Sequence, residues 1–183
     1  MTNKEKYISL LTSVPNTDGL VEWLCKTDFF IAPASTKYHN SFEGGLVAHS
    51  LAVLSELRAS KNAKLFTDES IIKVALLHDI CKANFYAVDY RNAKIDGQWE
   101  RVPFYTVKDD FPYGHGEKSV LLASRFIDLN EQEIMAIRFH MGAFDEAVKG
   151  GFNLSQVFER YPLALELHIA DLRASYLVEK RGV

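Results

Sequence analysis

The sequence predicts a mostly α-helical, single-domain protein, and three observations lead to that prediction. The 183 residues include only ten glycines and five prolines, so frequent turns are not expected. Apolar residues recur at helical spacing along most of the chain. The length suits one hydrophobic core, since single cores accommodate roughly 100–200 residues.

The first half of the chain predicts four helices around one irregular segment. Two short helices are expected at Lys4–Thr12 and Asp18–Lys26, and the stretch from Phe29 to Gly45 has no regular pattern. A third helix, Leu46–Ala59, has apolar residues at helical spacing. The fourth, Glu69–Lys82, is apolar on nearly every face, which is typical of a buried central helix.

The second half predicts a β-hairpin followed by three helices. Residues 90–95 and 98–102 flank Asp96-Gly97, a dipeptide that suits a type I′ turn, so we expect a short hairpin near 90–105. Helices are then expected over Glu117–Asp128, from the capping box at Asn130 to about His140, and from Pro162 to Lys180.

Charge and composition argue against several classes of protein. The 21 Lys and Arg and 24 Asp and Glu leave a formal net charge of -3, which disfavours broad electrostatic binding of duplex nucleic acid or an anionic membrane. The chain has neither a signal-peptide pattern nor an apolar run long enough to cross a bilayer, so we expect a cytoplasmic protein. Cys25 and Cys81 lie far apart, so neither a disulfide framework nor a thiolate zinc site is expected, and Cys81 can be a small buried hydrophobe.

The six histidines are the most informative residues. Asp79 follows His78 in the most apolar helix, where an ionised carboxylate costs several kcal/mol unless a cation or strong donors compensate it. A metal ion is the natural compensation. The candidate ligands, which come from different helices, are His49, His78, Asp79, His115, His140 and Asp171. Each histidine taken alone is more often a hydrogen-bonded core residue, and that alternative stays open.

The order of these residues resembles a known signature. His49, then His78-Asp79, then Asp171 resembles the H…HD…D signature of the HD-domain metal-dependent phosphohydrolase superfamily, and the segment from Asp79 to Lys82 resembles its HDxxK extension. The regions that carry the histidines and aspartates are similar to small stand-alone HD hydrolases. The resemblance implies that residues 1–183 form a single HD-domain helical bundle with the hairpin as an insertion, and it is strongest over 35–180.

Further motifs refine the resemblance. Residues 44–50, Gly-Gly-Leu-Val-Ala-His-Ser, are similar to the GGLxxHS segment of bacterial members, which include a branch of 3′–5′ exonucleases. The glycine usual in HDxGK is Cys81 here, a departure expected to affect packing more than chemistry. No GYP-type motif follows, so a cyclic-di-GMP specificity is not implied.

The resemblance also implies a binuclear centre that binds two divalent metal ions. Carried over by position, the first ion would be held by His49, His78, Asp79 and Asp171, and the second by Asp79, His115 and His140. Imidazole and carboxylate ligands suit Mn, Fe, Co, Ni, Zn or Mg, and the sequence does not choose among them.

The predicted function is the hydrolysis of a small phosphorylated substrate, such as a nucleotide, by metal-activated water. Asp79 and Lys82 are the predicted catalytic residues: Asp79 would bridge the ions and orient the nucleophile, and Lys82 would contact a non-bridging phosphate oxygen. Two alternatives stay open. The chain could be a single-strand 3′–5′ exonuclease, although it lacks an accompanying nucleic-acid-binding domain, or a non-catalytic metal-containing nucleotide sensor.

Residues around the centre are weaker candidates for substrate binding. They are His39, Arg91, Trp99, Arg101, Lys118 and Arg138. The three hairpin residues suit a lid over a nucleotide, but a half-exposed hairpin explains them equally well. His39, in a loop, could be a leaving-group acid or a surface residue. For Lys118 and Arg138, a position on the solvated face of a helix is slightly favoured over substrate binding. His168, one turn before Asp171, is expected to orient a ligand.

Overall fold

The structure, a computed structural model, describes residues 1–146, 148–149 and 153–179. In chain order its helices and strands are α1 (Asn3–Leu11), α2 (Asp18–Lys26), α3 (Gly45–Ala59), α4 (Asp68–Leu77), β1 (Tyr86–Ile95), β2 (Gln98–Val107), α5 (His115–Ala123), α6 (Glu131–Phe139), α7 (Asn153–Arg160) and α8 (Pro162–Arg173). Short 3-10 turns occupy Ala63–Leu65, Ile80–Lys82 and Gly142–Phe144, and a π-helical turn occupies Ala174–Val178. The prediction of a mainly helical chain with one two-stranded antiparallel sheet is therefore confirmed.

The central helices α3, α4, α6 and α8 pack around the hydrophobic core. The predicted capping box at the start of α6 is confirmed, because the Asn130 side chain accepts from Glu133 N at 3.0 Å and the Glu133 carboxylate accepts from Asn130 N at 2.9 Å. Ser70 of α4 donates to the other Glu133 oxygen at 2.7 Å. The cap thus also joins α6 to α4.

The helix α4 is shorter than the sequence predicts. It ends at Leu77, Asp79 adopts φ -107° and ψ 17°, and a 3-10 turn follows. The prediction of one helix from Glu69 to Lys82 is therefore wrong at its end. Apolar residues continue to Ile80, which is fully buried, so the hydrophobic pattern gives no sign of the break.

The C-terminal third also differs from the prediction. The helix α5 covers His115–Ala123 rather than Glu117–Asp128, and α7 was not predicted because it is short and buries only Val157. The regular part of the last helix ends at Arg173, where a π-helical turn begins. Lys180, the predicted end of that helix, lies outside the described residues.

The β-hairpin is longer than predicted, because its strands extend to Tyr86 and Val107. The two-residue turn is confirmed: Ile95 pairs with Gln98, and Asp96 and Gly97 have φ of 49° and 88°, the left-handed values that a type I′ turn requires. No helix among the described residues has both the length and the apolar character needed to cross a membrane.

Candidate metal centre

The structure brings all six predicted ligands into one buried region. His49 lies on α3 and Asp171 on the last turn of α8, while His115 is the first residue of α5. His78 and His140 directly follow the last residues of α4 and α6. Asp79 occupies the break after α4.

The first donor set surrounds His49. Its Nε2 lies 3.2 Å from His78 Nε2, 3.3 Å from Asp171 Oδ1 and 3.6 Å from Asp79 Oδ2. His78 Nε2 lies 3.5 Å from the same Asp79 oxygen. Two imidazole nitrogens and two carboxylates at these separations form a donor set that suits a divalent transition metal.

The second donor set surrounds the other oxygen of Asp79. His115 Nε2 donates to Asp79 Oδ1 at 2.6 Å, and His140 Nε2 lies 3.5 Å from that oxygen. Cys81 Sγ lies 3.5 Å from His115 Nδ1 and 3.8 Å from His115 Nε2. The two oxygens of one carboxylate therefore face two different groups of donors.

The ends of α4 and α6 set the orientation of two histidine rings. His78 Nδ1 donates to the carbonyl of Ala75 at 2.9 Å, and His140 Nδ1 donates to the carbonyl of Ile137 at 2.7 Å. In each case the acceptor is one of the carbonyls that the helix end leaves unpaired. Nε2 is consequently left with a lone pair directed into the centre. For His140 that atom is buried and has no hydrogen-bond partner among the described residues.

Asp79 is held ionised although it is only 2% exposed. Burial alone would raise the pKa of its carboxyl, but Lys82, His78 and the hydrogen bond from His115 hold that pKa well below its usual range. The carboxylate is therefore available to a cation at any ordinary pH.

The ligand histidines differ in their affinity for protons. Burial opposes protonation of His49, but hydrogen bonds to Asp171 and Glu179 outweigh it and raise the pKa of His49 to about 10. At His78, burial lowers the pKa to about 3 and outweighs the nearby Asp79 carboxylate, which favours protonation. Without a metal, a proton on His49 stabilises the facing carboxylates.

His115 shows the same compensation at the second donor set. Burial opposes its protonation, but Cys81 and the hydrogen bond to Asp79 raise the pKa of His115 to about 10. This donor set thus also attracts positive charge, and a metal ion that bound there would displace a proton.

Glu179 is a member of the site that the sequence analysis missed. Its Oε1 lies 2.7 Å from His49 Nδ1, and its side chain is 3% exposed. A carboxylate behind a ligating histidine fixes the ring and its tautomer. The only signal in the sequence is an acidic residue directly after the apolar Leu177-Val178 pair.

Lys82 joins the centre to the loop that precedes α3. Its Nζ donates to Asp79 Oδ2 at 2.7 Å and to the carbonyl of Ala34 at 2.8 Å. Burial alone would lower the pKa of Lys82, but the Asp79 carboxylate raises it above the usual lysine value. The Tyr86 hydroxyl at the base of the hairpin donates to the same Ala34 carbonyl at 3.1 Å.

His39 and His168 lie on either side of the ligands. The His39 ring is 4.9 Å from the His49 ring, and burial lowers the pKa of His39. His168 Nδ1 donates to the carbonyl of His140 at 2.6 Å. A Cβ at Gly142 would overlap the His168 ring, so this glycine permits the close approach. His168 thus contacts the backbone of a ligand rather than the donor atoms.

Lys118 and Arg138 are bound to acidic residues of the chain. Lys118 Nζ donates to Asp109 Oδ1 at 2.6 Å, and its side chain is 11% exposed. Arg138 forms ion pairs with Glu117 and with Asp145, the latter at 2.7 Å. Their positive charges are therefore largely compensated within the protein.

The hairpin forms one wall of a groove of about 630 Å³. On one side of the groove are Thr36, Lys37 and Ser41 of the loop, and on the other are Arg91, Phe104 and Tyr105 of the hairpin. The Ala34 carbonyl that binds Lys82 belongs to the same loop, so this loop links the groove to the metal centre along the chain. Trp99 and Arg101 lie nearer the hairpin tip. Trp99 is 74% exposed, and the Arg101 guanidinium stacks on the Tyr90 ring, with its Cζ 4.9 Å from the ring centroid.

Comparisons of the chain with protein-family models, with curated proteins and with solved structures found no match. The described residues show a buried cluster of His, Asp and Cys side chains that can hold metal, in a mainly helical chain.

Proposed function

We propose that this chain is a metal-dependent phosphohydrolase of the HD-domain type, which binds two divalent ions and hydrolyses a nucleotide or another small phosphoester. One observation carries the proposal: Asp79 Oδ2 faces His49 and His78, whereas Asp79 Oδ1 faces His115 and His140. A carboxylate placed in this way can bridge two ions, which in two-metal hydrolases lie about 3.5–4 Å apart.

The residues present fit such ions. The donors are imidazole nitrogens and carboxylate oxygens, which are ordinary ligands of divalent transition metals. His140 Nε2 is buried without a hydrogen-bond partner among the described residues, and a buried polar atom of this kind calls for a ligand. When bound, the two ions would activate a water and offset negative charge on phosphate oxygens.

Lys82 is placed to contact a phosphate. A lysine ammonium has three N–H donors, and two of these bind Asp79 and the Ala34 carbonyl. The third is available for a non-bridging phosphate oxygen. His39 Nε2 is also without a partner among the described residues, and we assign it a contact with the leaving group.

The groove beside the centre supports a nucleotide as the substrate class. Its volume of about 630 Å³ lies within the usual range for small-molecule sites. Lys37 and Arg91 supply positive charge for phosphates, and the ring of Tyr105 supplies a surface for stacking a base. The formal net charge of -3 does not oppose this substrate class, because the cations are concentrated at one site.

The decisive test is a hydrolysis screen of the metal-loaded protein. Nucleoside mono-, di- and triphosphates, cyclic nucleotides and short single-stranded oligonucleotides are incubated with the wild type, with Asp79→Asn and with Asp110→Asn. Asp110 is exposed and serves as the matched control. We expect the wild type and the control to hydrolyse at least one nucleotide, and Asp79→Asn to lose about a hundredfold or more of that rate together with bound metal.

Each other outcome has a defined meaning. Full activity and metal content in Asp79→Asn would contradict the binuclear centre. Preferential cleavage of oligonucleotides would replace the nucleotide with a nucleic-acid strand as substrate. Tight binding of one nucleotide with no turnover of any compound would make the chain a sensor rather than an enzyme.

The groove is tested separately through Arg91. Arg91→Ala should raise KM for the nucleotide by about tenfold or more, because hydrogen bonds to charged groups contribute about 1.5–3 kcal/mol. Metal content and kcat should not change. Lys94→Ala removes an exposed charge from the same strand and is the control. Equal KM values for the two variants would exclude the groove from substrate binding.

A further inference from the structure

One face of the β-hairpin combines aromatic rings with positive charge. Lys94 pairs with Trp99 and Asn92 pairs with Arg101, and side chains that pair directly lie on the same face of an antiparallel sheet. The even-numbered residues of β1 and the odd-numbered residues of β2 therefore share one face, which we call the Trp99 face. Its aromatic residues are Tyr86, Tyr90, Trp99 and Tyr105. Rings thus occur along the whole length of this face.

The positive charge of the Trp99 face is not compensated within the protein. The face carries Lys94 and Arg101, and no carboxylate lies among its residues, all of which the structure describes. Asp89 and Glu100 lie on the opposite face. Among the described residues neither Lys94 nor Arg101 forms an ion pair, and the Arg101 guanidinium stacks on the Tyr90 ring instead. The face is therefore available to an anionic ligand.

The Trp99 face extends well beyond the groove that the proposed function assigns to the nucleotide. Val88 and Tyr105, which pair with each other, line the groove. Trp99 pairs with Lys94, six residues after Val88, which corresponds to about 20 Å at about 3.3–3.4 Å per residue. Tyr90 and Trp99 are each more than half exposed. A single nucleotide in the groove does not reach these rings, so a ligand that uses the whole face is a chain.

We propose that the Trp99 face binds a single strand of nucleic acid, with a base stacked on Trp99 and a phosphate bound by Arg101. Aromatic rings stack on any unpaired base, and cationic side chains beside them follow the backbone, so a surface with both groups is typical of single-strand-binding proteins. The bases of a duplex are already stacked, and an acidic peptide would leave the rings without planar partners. The formal net charge of -3 confines binding to this face.

This inference goes beyond the proposed function, because binding at the Trp99 face requires neither metal nor hydrolysis. Fluorescence anisotropy with labelled oligonucleotides tests it. Mixed-sequence single strands of DNA and of RNA, about 12 nucleotides long, are titrated with protein in the presence of a metal chelator. We expect the wild type to bind both strands. Trp99→Ala should weaken binding about fivefold or more, as loss of one base–aromatic stack does, and Trp99→Phe should retain most of the affinity.

The variant Arg101→Ala tests the phosphate contact separately from stacking. For single strands, the slope of log K against log salt concentration changes by about 0.7 for each phosphate contacted. The slope should therefore become about 0.7 shallower in Arg101→Ala and should not change in Trp99→Ala. Two exposed residues outside the face provide matched controls. Gln98→Ala truncates the neighbour of Trp99 on the opposite face, and Arg125→Ala removes an arginine elsewhere on the protein.

Several results would overturn the proposal. If the wild type binds neither single strand, the proposal is wrong whatever the variants do. Equal losses in Arg101→Ala and Arg125→Ala would show that net charge rather than this face attracts the strand. A duplex that binds as tightly as the single strand would exclude stacking. An oligoglutamate that displaces the strand would make the face a docking site for an acidic protein segment. Because the chelator is present throughout, the hydrolysis screen of the proposed function succeeds or fails independently.

Discussion

Glu179 offers a sharp test of the centre, because it touches a ligand without being one of the proposed ligands. Its Oε1 accepts from His49 Nδ1 at 2.7 Å, a length typical of a charge-assisted hydrogen bond, and its side chain is 3% exposed. Glu179→Ala frees the His49 ring to rotate and to change tautomer. We expect metal affinity to fall by about 10–100-fold, which corresponds to about 1.4–2.7 kcal/mol.

A graded pair of variants separates orientation from charge. Glu179→Gln keeps an acceptor beside His49 and loses only the charge, so its affinity should lie between those of the wild type and Glu179→Ala. Glu179 also stabilises the proton on His49, so part of the loss is offset near neutral pH and the loss should grow as pH rises.

Competition with a chromophoric chelator measures the affinity, and circular dichroism checks that the variants are folded. Glu22→Ala, at a position with a 69% exposed side chain, is the control and should bind metal like the wild type. Affinity equal to wild type in Glu179→Ala would refute the reasoning.

Two further predictions concern protons and packing. Metal affinity should rise with pH and binding should release protons, because the pKa of His49 and of His115 is about 10 without metal and each proton competes with the ion below that pH. Calorimetry in buffers of different ionisation enthalpy counts the released protons. An affinity that does not depend on pH would contradict the prediction. Gly116→Ala should lower the free energy of unfolding by about 1–3 kcal/mol, because its Cβ would overlap the Arg138 carbonyl oxygen. In urea denaturation Gly19→Ala, whose Cβ makes an ordinary contact at 3.7 Å, should not be destabilised, and equal losses in the two variants would exclude overlap as the cause.

Local signals in the sequence predict much of the fold. The Asn130 capping box and the Asp96-Gly97 turn follow from capping and turn preferences that act over a few residues, and the structure confirms them. The predicted bounds of α2 are also confirmed, although its first turn has no side-chain cap. The ends of α4 and α5 are not predictable in this way, because apolar residues continue past the point where tertiary contacts take over from helical hydrogen bonds.

The same distinction applies to the candidate site. The six candidate ligands could be selected from the sequence because charged and imidazole groups are rare within apolar helical patterns. The contacts of Glu179 and Cys81 with candidate ligand histidines could not be predicted in this way. The position of Glu179 depends on the π-helical turn after α8, and that of Cys81 depends on the break at Asp79. Both are backbone irregularities that residue spacing does not reveal.

His78 and His140 each directly follow the C-terminal residue of a helix, and this position has an electrostatic effect on the centre that is separate from their role as candidate ligands. The aligned peptide dipoles of α4 and α6 place about half a negative charge at each of these ends. Both helices therefore direct the negative ends of their macrodipoles at one centre, and their field favours a cation before any ligand bond forms. The backbone thus contributes to the attraction of metal ions, and substitution of any one ligand side chain leaves this contribution in place.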